Sequence, residues 1–78
     1  MWQEIDNTLV REWQFTNFME AWAMASKIAL LFEKMDHHPD ILVGYGKLKI
    51  TLTTHDAGNV VTEKDRQMAA EIDKVTHG

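Results

Sequence analysis

The stretch that decides the fold is NFMEAWAMASKIALLFEKMDHHP, residues 17–39. Its apolar residues recur at intervals of three and four, the period of one face of an α-helix. This apolar stripe consists of Phe18, Ala21, Trp22, Ala25, Ile28, Ala29, Phe32 and Met35. Asn17 and Glu20 have the spacing of a capping box at the helix start. Pro39 disfavours helical geometry at the residue before it, so we expect the helix to end near Asp36.

The predicted helix is apolar on more than one face. The spacing of Phe18, Trp22 and Phe32 places them in the core rather than around a cofactor. Further apolar residues lie outside this stripe: Ala23, Met24, Leu30 and Leu31. A wide contact with the core would account for them, and so would packing against another subunit. The second interpretation is favoured, because a two-layer domain covers only one side of a helix.

Working outward, a pair of strands is predicted on each side of this helix. Residues 2–5 and 8–15 flank a turn at Asp6-Asn7, and the second segment alternates with a period of two. After the helix, residues 41–45 form a short apolar run. Residues 47–54 then place Leu, Ile and Leu on one face and Lys or Thr on the other.

The C-terminal part is predicted to hold a loop and a second helix. Residues 55–59 have the composition of a loop. Thr62 begins the helix, with Glu63 and Asp65 in its first turn. The order β-β-α-β-β-α predicts an α+β fold, a two-layer sandwich with a four-stranded antiparallel sheet and both helices on one face.

Length and composition narrow the class of protein. The 78 residues are enough for a single domain, 1–78, whose core would be marginal by itself. The chain has no cysteine, which excludes disulfides and thiolate metal sites, so association is the remaining source of stability and we expect an oligomer.

Charge and hydropathy also exclude some partners. The net charge of −4 argues against direct binding of nucleic acid, which needs a basic patch. No apolar segment approaches the roughly 18 to 20 residues of a membrane span. The N-terminus lacks the order of charges and apolar residues of a signal peptide, so a cytoplasmic location is expected.

Three histidines are the candidates for chemistry. His37 and His38 follow the long helix, and His55 comes directly after the predicted strand 47–54, whose Lys and Thr face is expected to be exposed to solvent. Imidazole gives or takes a proton near neutral pH, and such groups around a cleft could remove a hydroxyl as water. From the residues alone, the His-His-Pro turn has about equal odds of a structural or surface role and of a role in chemistry. His77, beside the C-terminus, is expected to be a solvated surface residue.

Zinc is the competing interpretation of the three histidines, because three imidazoles are a known catalytic ligand set. Adjacent histidines have poor spacing for ligands, however, and neither His-x-His nor His-x-x-x-His occurs in the chain. A zinc site is therefore the minor hypothesis.

Several segments, taken in order, resemble the pterin-4a-carbinolamine dehydratases. They are EKMDHHPD at residues 33–40, Tyr45, TLTTHDAG at residues 51–58 and TEKD at residues 62–65. The resemblance covers nearly the whole chain. It implies a hydro-lyase that dehydrates 4a-hydroxytetrahydrobiopterin to quinonoid dihydropterin, in the recycling of tetrahydrobiopterin for aromatic amino acid hydroxylases.

The resemblance also implies roles for individual residues. His37, His38 and His55 would be the catalytic acid–base groups, and neither a metal nor another cofactor would be needed. The assignment of acid and base among them stays open. The residues implied to bind the pterin substrate are Asp36, Thr53, Thr54, Asp56 and Asp65.

Two features depart from the family pattern. Members often carry tryptophan two residues after the proline, where this chain has Ile41, so an aromatic wall of the pocket is expected to be missing. The chain also starts almost directly at the first strand, which resembles a short form without the N-terminal helix of longer members.

Family resemblance bears on partners as well. Members associate as dimers through sheet edges and as tetramers through helices, so a homodimer or homotetramer is expected. Some animal members also bind a homeodomain transcription factor. The alternative function is therefore a non-catalytic, oligomerising interaction module similar to a dimerisation cofactor.

Overall fold

The computed structural model describes residues 1–76, so His77 lies outside the described residues. The elements are β1 (Gln3–Ile5), β2 (Thr8–Gln14), α1 (Phe18–Met35), β3 (Asp40–Val43), β4 (Lys47–Leu52), a 3-10 turn (His55–Ala57) and α2 (Glu63–Thr76). This confirms the predicted order β-β-α-β-β-α. Among residues 1–76, no helix is long and apolar enough to cross a membrane.

The four strands form one antiparallel sheet in the order β1-β2-β4-β3. In its centre Leu9 pairs with Leu52 and Trp13 with Leu48. The alternation predicted for β4 is confirmed, because Leu48, Ile50 and Leu52 are fully buried beneath the helices. This face of the sheet carries the core.

The turn between β3 and β4 explains why β3 ends earlier than the predicted residue 45. Gly44 N–H donates to the Lys47 carbonyl, and Phe15 N–H donates to the Gly46 carbonyl, each at 2.8 Å. A Cβ atom at Gly46 would lie 2.6 Å from the Phe15 carbonyl oxygen. Only glycine allows this close approach between the chain segments that follow β2 and precede β4.

The start of α1 is capped as predicted. Asn17 Oδ1 accepts the Glu20 N–H at 2.9 Å, and the Glu20 carboxylate accepts the N–H of Thr16 at 3.0 Å. The first bond satisfies one of the N–H donors that a helix N-terminus otherwise leaves open, and the second ties the residue before the N-cap to the first turn.

The buried stripe of α1 is rotated from the predicted one. The helix buries Ala21, Ala25, Ile28 and Phe32. The prediction that Phe18 and Trp22 lie in the core is wrong: they are 46% and 53% exposed and stack on each other. Met24 and Leu31, expected outside the stripe, pack against the core instead. The reason is α2, which lies on the same face of the sheet and turns the contact surface of α1 toward itself.

Candidate active site

The C-terminal end of α1, the segment after β4 and the first turn of α2 meet around one cleft. Its volume is about 200 Å³, and it is lined by Asp36, His37, His38, Thr54, His55, Asp56 and Lys64. The three histidines singled out in the sequence therefore lie together, although 18 positions separate His37 from His55.

A left-handed residue aims the His-His-Pro turn into this cleft. Asp36 ends α1 with φ 51° and ψ 47°. Its N–H donates to the Glu33 carbonyl, and the N–H of His37 donates to the Phe32 carbonyl. These two bonds make a Schellman motif, in which glycine is the usual residue at the left-handed position. The sharp reversal points His37 back toward α2.

His37 is bonded to a buried carboxylate on α2. Its Nε2 lies 2.6 Å from Asp65 Oδ1, and the His37 side chain is 11% exposed while that of Asp65 is 0% exposed. The other oxygen, Asp65 Oδ2, accepts the hydroxyl of Thr54 at 2.7 Å and the N–H of Thr62 at 2.8 Å. Every polar atom of the carboxylate is thus satisfied, as a buried charge requires.

These contacts determine the charge of Asp65 and the ring nitrogen from which His37 donates to it. Burial raises the pKa of Asp65, but hydrogen bonds from the Thr62 N–H, His37 and the Thr54 hydroxyl outweigh it and hold the pKa below its ordinary value. The carboxylate is therefore ionised near neutral pH and can only accept hydrogen bonds. His37 must donate from Nε2, which leaves Nδ1 of the neutral ring as a proton acceptor.

The other two histidines have exposed partners. His38 Nε2 lies 3.2 Å from Glu33 Oε1, and both side chains are open to solvent. His55 Nδ1 lies 2.6 Å from Asn59 Oδ1. Since an amide oxygen only accepts, His55 donates from Nδ1 and keeps Nε2 as the acceptor. His37 and His55 are consequently held in opposite tautomers.

The predicted substrate-binding residues divide into two groups. Asp36, Asp56 and Thr54 line the cleft. Thr53 and Asp65 do not: the Thr53 hydroxyl donates to the Asn7 carbonyl at 3.1 Å, and Asp65 lies wholly buried behind His37.

Sequence reasoning missed Lys64, which lines the cleft, and the part played by Thr62. Thr62 and Asp65 have the three-residue separation of a capping box, with the acid at its third position. That spacing was the available signal for the bond between the Asp65 carboxylate and the Thr62 N–H.

Two further positions of the family pattern, Ile41 in place of tryptophan and the aromatic Tyr45, lie outside the cleft. Ile41 is on the edge strand β3, and Tyr45 is in the turn at the far end of that strand. Neither lines the cleft, and within residues 1–76 its lining includes no Trp, Tyr or Phe. Over the same residues, no group of three His, Cys, Asp or Glu side chains could hold a metal ion.

The family described as pterin 4 alpha carbinolamine dehydratase has a model that matches residues 1–75. The chain belongs to this family. A protein of Prochlorococcus marinus (strain NATL2A), with the provisional name pterin-4-alpha-carbinolamine dehydratase, is 53% identical over 72 residues, which cover 91% of this chain and 75% of that one. The resemblance seen in the sequence is thereby confirmed.

Solved structures agree with the fold. A transcriptional coactivator/pterin dehydratase from Brucella melitensis superposes with a TM-score of 0.85 at 36% identity, covering 95% of this chain and 80% of the other. A pterin dehydratase-like protein identified as a RuBisCO assembly factor of the alpha-carboxysome has a TM-score of 0.72 at 27% identity, covering 95% and 84%. This fold therefore occurs in proteins with different described roles.

Proposed function

We propose that the chain is a 4a-hydroxytetrahydrobiopterin dehydratase that acts by histidine acid–base catalysis in tetrahydrobiopterin recycling. The observation that carries this proposal is the meeting of His37, His38 and His55 in one cleft. In the neutral form of two of these rings, the hydrogen-bond partner of one nitrogen leaves the other nitrogen free to accept a proton, and membership of the family supplies the substrate class. The expected cytoplasmic location stays a prediction.

The reaction needs one base and one acid. The bond between C4a and its hydroxyl oxygen breaks, and that oxygen leaves as water after it gains a proton. The proton on N5 is removed, and its electron pair forms the C4a–N5 double bond of the quinonoid product. Groups with pKa values near the working pH perform such transfers best.

His37 suits the base and an exposed histidine suits the acid. The anionic Asp65 stabilises the imidazolium that forms when His37 Nδ1 accepts the N5 proton, as a buried aspartate does in other His–Asp pairs. His38 or His55, whose rings are open to solvent, can be protonated from water and deliver that proton to the leaving hydroxyl.

The remaining lining side chains fit the polar edge of a pterin. The carboxylates of Asp36 and Asp56 can accept hydrogen bonds from the ring's amino group and N3–H, and the Lys64 ammonium can donate to its carbonyl oxygen. Thr54 and Asp65 do not contact the substrate in this proposal, because their polar atoms are bonded to each other, and they support His37 on the side away from the cleft.

Stopped-flow decay of 4a-hydroxytetrahydropterin tests the proposal. The wild-type chain should accelerate the decay over buffer, and His37→Ala and His55→Ala should each lower kcat by about 100-fold or more, the usual contribution of general acid–base catalysis. Lys74→Ala is the matched control, because Lys74 pairs with Glu71 on α2 outside the cleft. A wild-type rate equal to that in buffer would refute the enzyme and favour the interaction module.

A self-association surface is part of the same proposal. The outward face of α1 exposes Met19, Trp22 and Leu30, of which Met19 and Leu30 are more than 70% exposed. Large apolar side chains so exposed favour a homodimer or homotetramer. The same surface would also serve a non-catalytic interaction module. The similarity to the RuBisCO assembly factor supports this alternative. Light scattering of the wild type and of Leu30→Lys would show a smaller assembly for the variant.

A further inference from the structure

We infer that Thr54 and Thr62 are positioning residues, which hold the Asp65 carboxylate and through it fix the tautomer of His37. The consequence for catalysis rests on the proposed function, whereas the consequence for the ring itself does not. This changes the expected role of Thr54, which the family resemblance had placed among the substrate contacts.

The direction of each hydrogen bond in this group follows from counting hydrogens. The ionised Asp65 accepts only, so the one hydroxyl hydrogen of Thr54 is committed to Asp65 Oδ2 at 2.7 Å. The hydroxyl oxygens of Thr54 and Thr62 lie 2.7 Å apart. The hydrogen between them must therefore come from Thr62.

The result is a one-way chain of donors that ends on the carboxylate. Thr62 donates to Thr54, Thr54 donates to Asp65, and His37 donates to the same carboxylate from the other side. Bonds in such a chain polarise and strengthen one another in a low-dielectric interior. Since no position in it can be reversed while Asp65 is charged, only the tautomer with Nε2–H fits beside Asp65.

Thr54 also shapes the neighbouring loop through its backbone. Its carbonyl accepts the N–H groups of Ala57 and Asn59 at 3.2 and 3.1 Å, and its own N–H donates to the Val60 carbonyl at 2.9 Å. Asn59 is the partner of the His55 ring. One residue, only 7% exposed, thus supports His37 with its side chain and the loop of His55 with its main chain.

The first test removes the Thr54 hydroxyl and leaves its shape. In Thr54→Val, Asp65 loses one of the two donors that hold it against His37, so the carboxylate can turn away from the ring. In the molecules where the His37–Asp65 bond is open, Nε2 need not carry the hydrogen, and the tautomer of His37 with Nδ1–H becomes populated. Long-range proton–nitrogen NMR of the imidazole rings should show a single Nε2–H form of His37 in the wild type and a mixture in the variant. Thr54→Ser should restore the single form.

Kinetics separate positioning from substrate contact. Thr54→Val should lower kcat about tenfold, the effect of losing a hydrogen bond to a charged group, with KM changed less than about twofold. Thr62→Val, which keeps the N–H bond to Asp65, should shift both readouts in the same direction by a smaller amount. Thr8→Val is the matched control, since that hydroxyl bonds the Ile5 carbonyl within the β1–β2 hairpin and Thr8 does not line the cleft.

The outcomes decide the two proposals independently. An unchanged His37 tautomer in both Thr54→Val and Thr62→Val would overturn the inference, and so would a raised KM with an unchanged kcat. If Thr54→Val does not fold, Thr62→Val and Thr54→Ser still report on the ring. A wild-type chain that fails to accelerate dehydration would remove the proposed function, while the NMR measurement would still decide the role of the threonines.

Discussion

His37 is held from behind by a buried carboxylate, whereas His38 and His55 are held from the side by exposed partners. The Asp65 oxygens receive three hydrogen bonds away from solvent. The partners of the other two rings, Glu33 and Asn59, are open to water. All three histidines nevertheless line the same cleft.

The difference separates two physical tasks within one cleft. A buried carboxylate carries a desolvation cost that only complete hydrogen bonding offsets, so the geometry around Asp65 is tightly defined. An exposed pair contributes about 0 to 1 kcal/mol and leaves the ring free to exchange protons with water. The buried Asp65 is suited to hold His37 as a base in one tautomer. The exposed rings of His38 and His55 are suited to regain a proton from water between turnovers.

The largest expected effect on stability comes from removing the negative charge of the buried Asp65, compared with removing that of the exposed Glu33. Asp65→Asn keeps the shape but replaces one carboxylate oxygen by an NH2 group, which cannot accept a hydrogen bond. Either the NH2 group faces His37 and forces the other tautomer of that ring, or it faces Thr54 and Thr62, whose donors then lose their acceptor, and in both cases the bonds to a charged group are lost. We expect it to lower the free energy of unfolding by about 3 kcal/mol. Glu33→Gln, the matched change beside His38, should lower it by less than about 0.5 kcal/mol. Urea unfolding measures the free energy of unfolding of both variants. Equal small losses would show that Asp65 is held no more tightly than Glu33 and would contradict the comparison.

The dependence of stability on pH should sharpen the same comparison. Because the folded-state pKa of Asp65 lies below its ordinary value, its ionised form stabilises the fold at pH values above the unfolded pKa, about 4. That contribution is lost as the pH falls below about 4 toward the folded pKa. The difference in unfolding free energy between the wild type and Asp65→Asn should therefore narrow between pH 6 and pH 3. A constant difference across this range would contradict the assignment.

The smallest effect concerns Asp36, which ends α1 and lines the cleft directly before His37 and His38. Its φ of 51° is unfavourable for a residue with a side chain. Asp36→Gly should raise the free energy of unfolding by about 0.5 to 1 kcal/mol, whereas Asp36→Ala should give no such gain. If Asp36 contacts the pterin as proposed, both variants should raise KM. Thermal unfolding and stopped-flow kinetics test the two halves separately, and a glycine variant less stable than wild type would refute the first.

Much of the fold could be predicted because its signals are local. Asn17 and Glu20 mark the start of α1 within one turn, Pro39 limits its end, and the alternation of Leu48, Ile50 and Leu52 needs only neighbouring residues. The rotation of the buried stripe could not be predicted, because it depends on where α2 packs. For that reason Trp22, which its spacing predicts to lie in the core, is 53% exposed.

The sequence by itself determined the order of the elements, the family and the three histidines with their aspartate neighbours, since each follows from residue type and spacing along the chain. Only the tertiary structure decided which histidine is buried, which carboxylate lies behind it and which ring nitrogen stays open. Asp65 is 28 positions from His37 and 11 from Thr54. A hydrogen bond between them exists only after α1, the end of β4 and α2 pack together, and no local pattern encodes its direction.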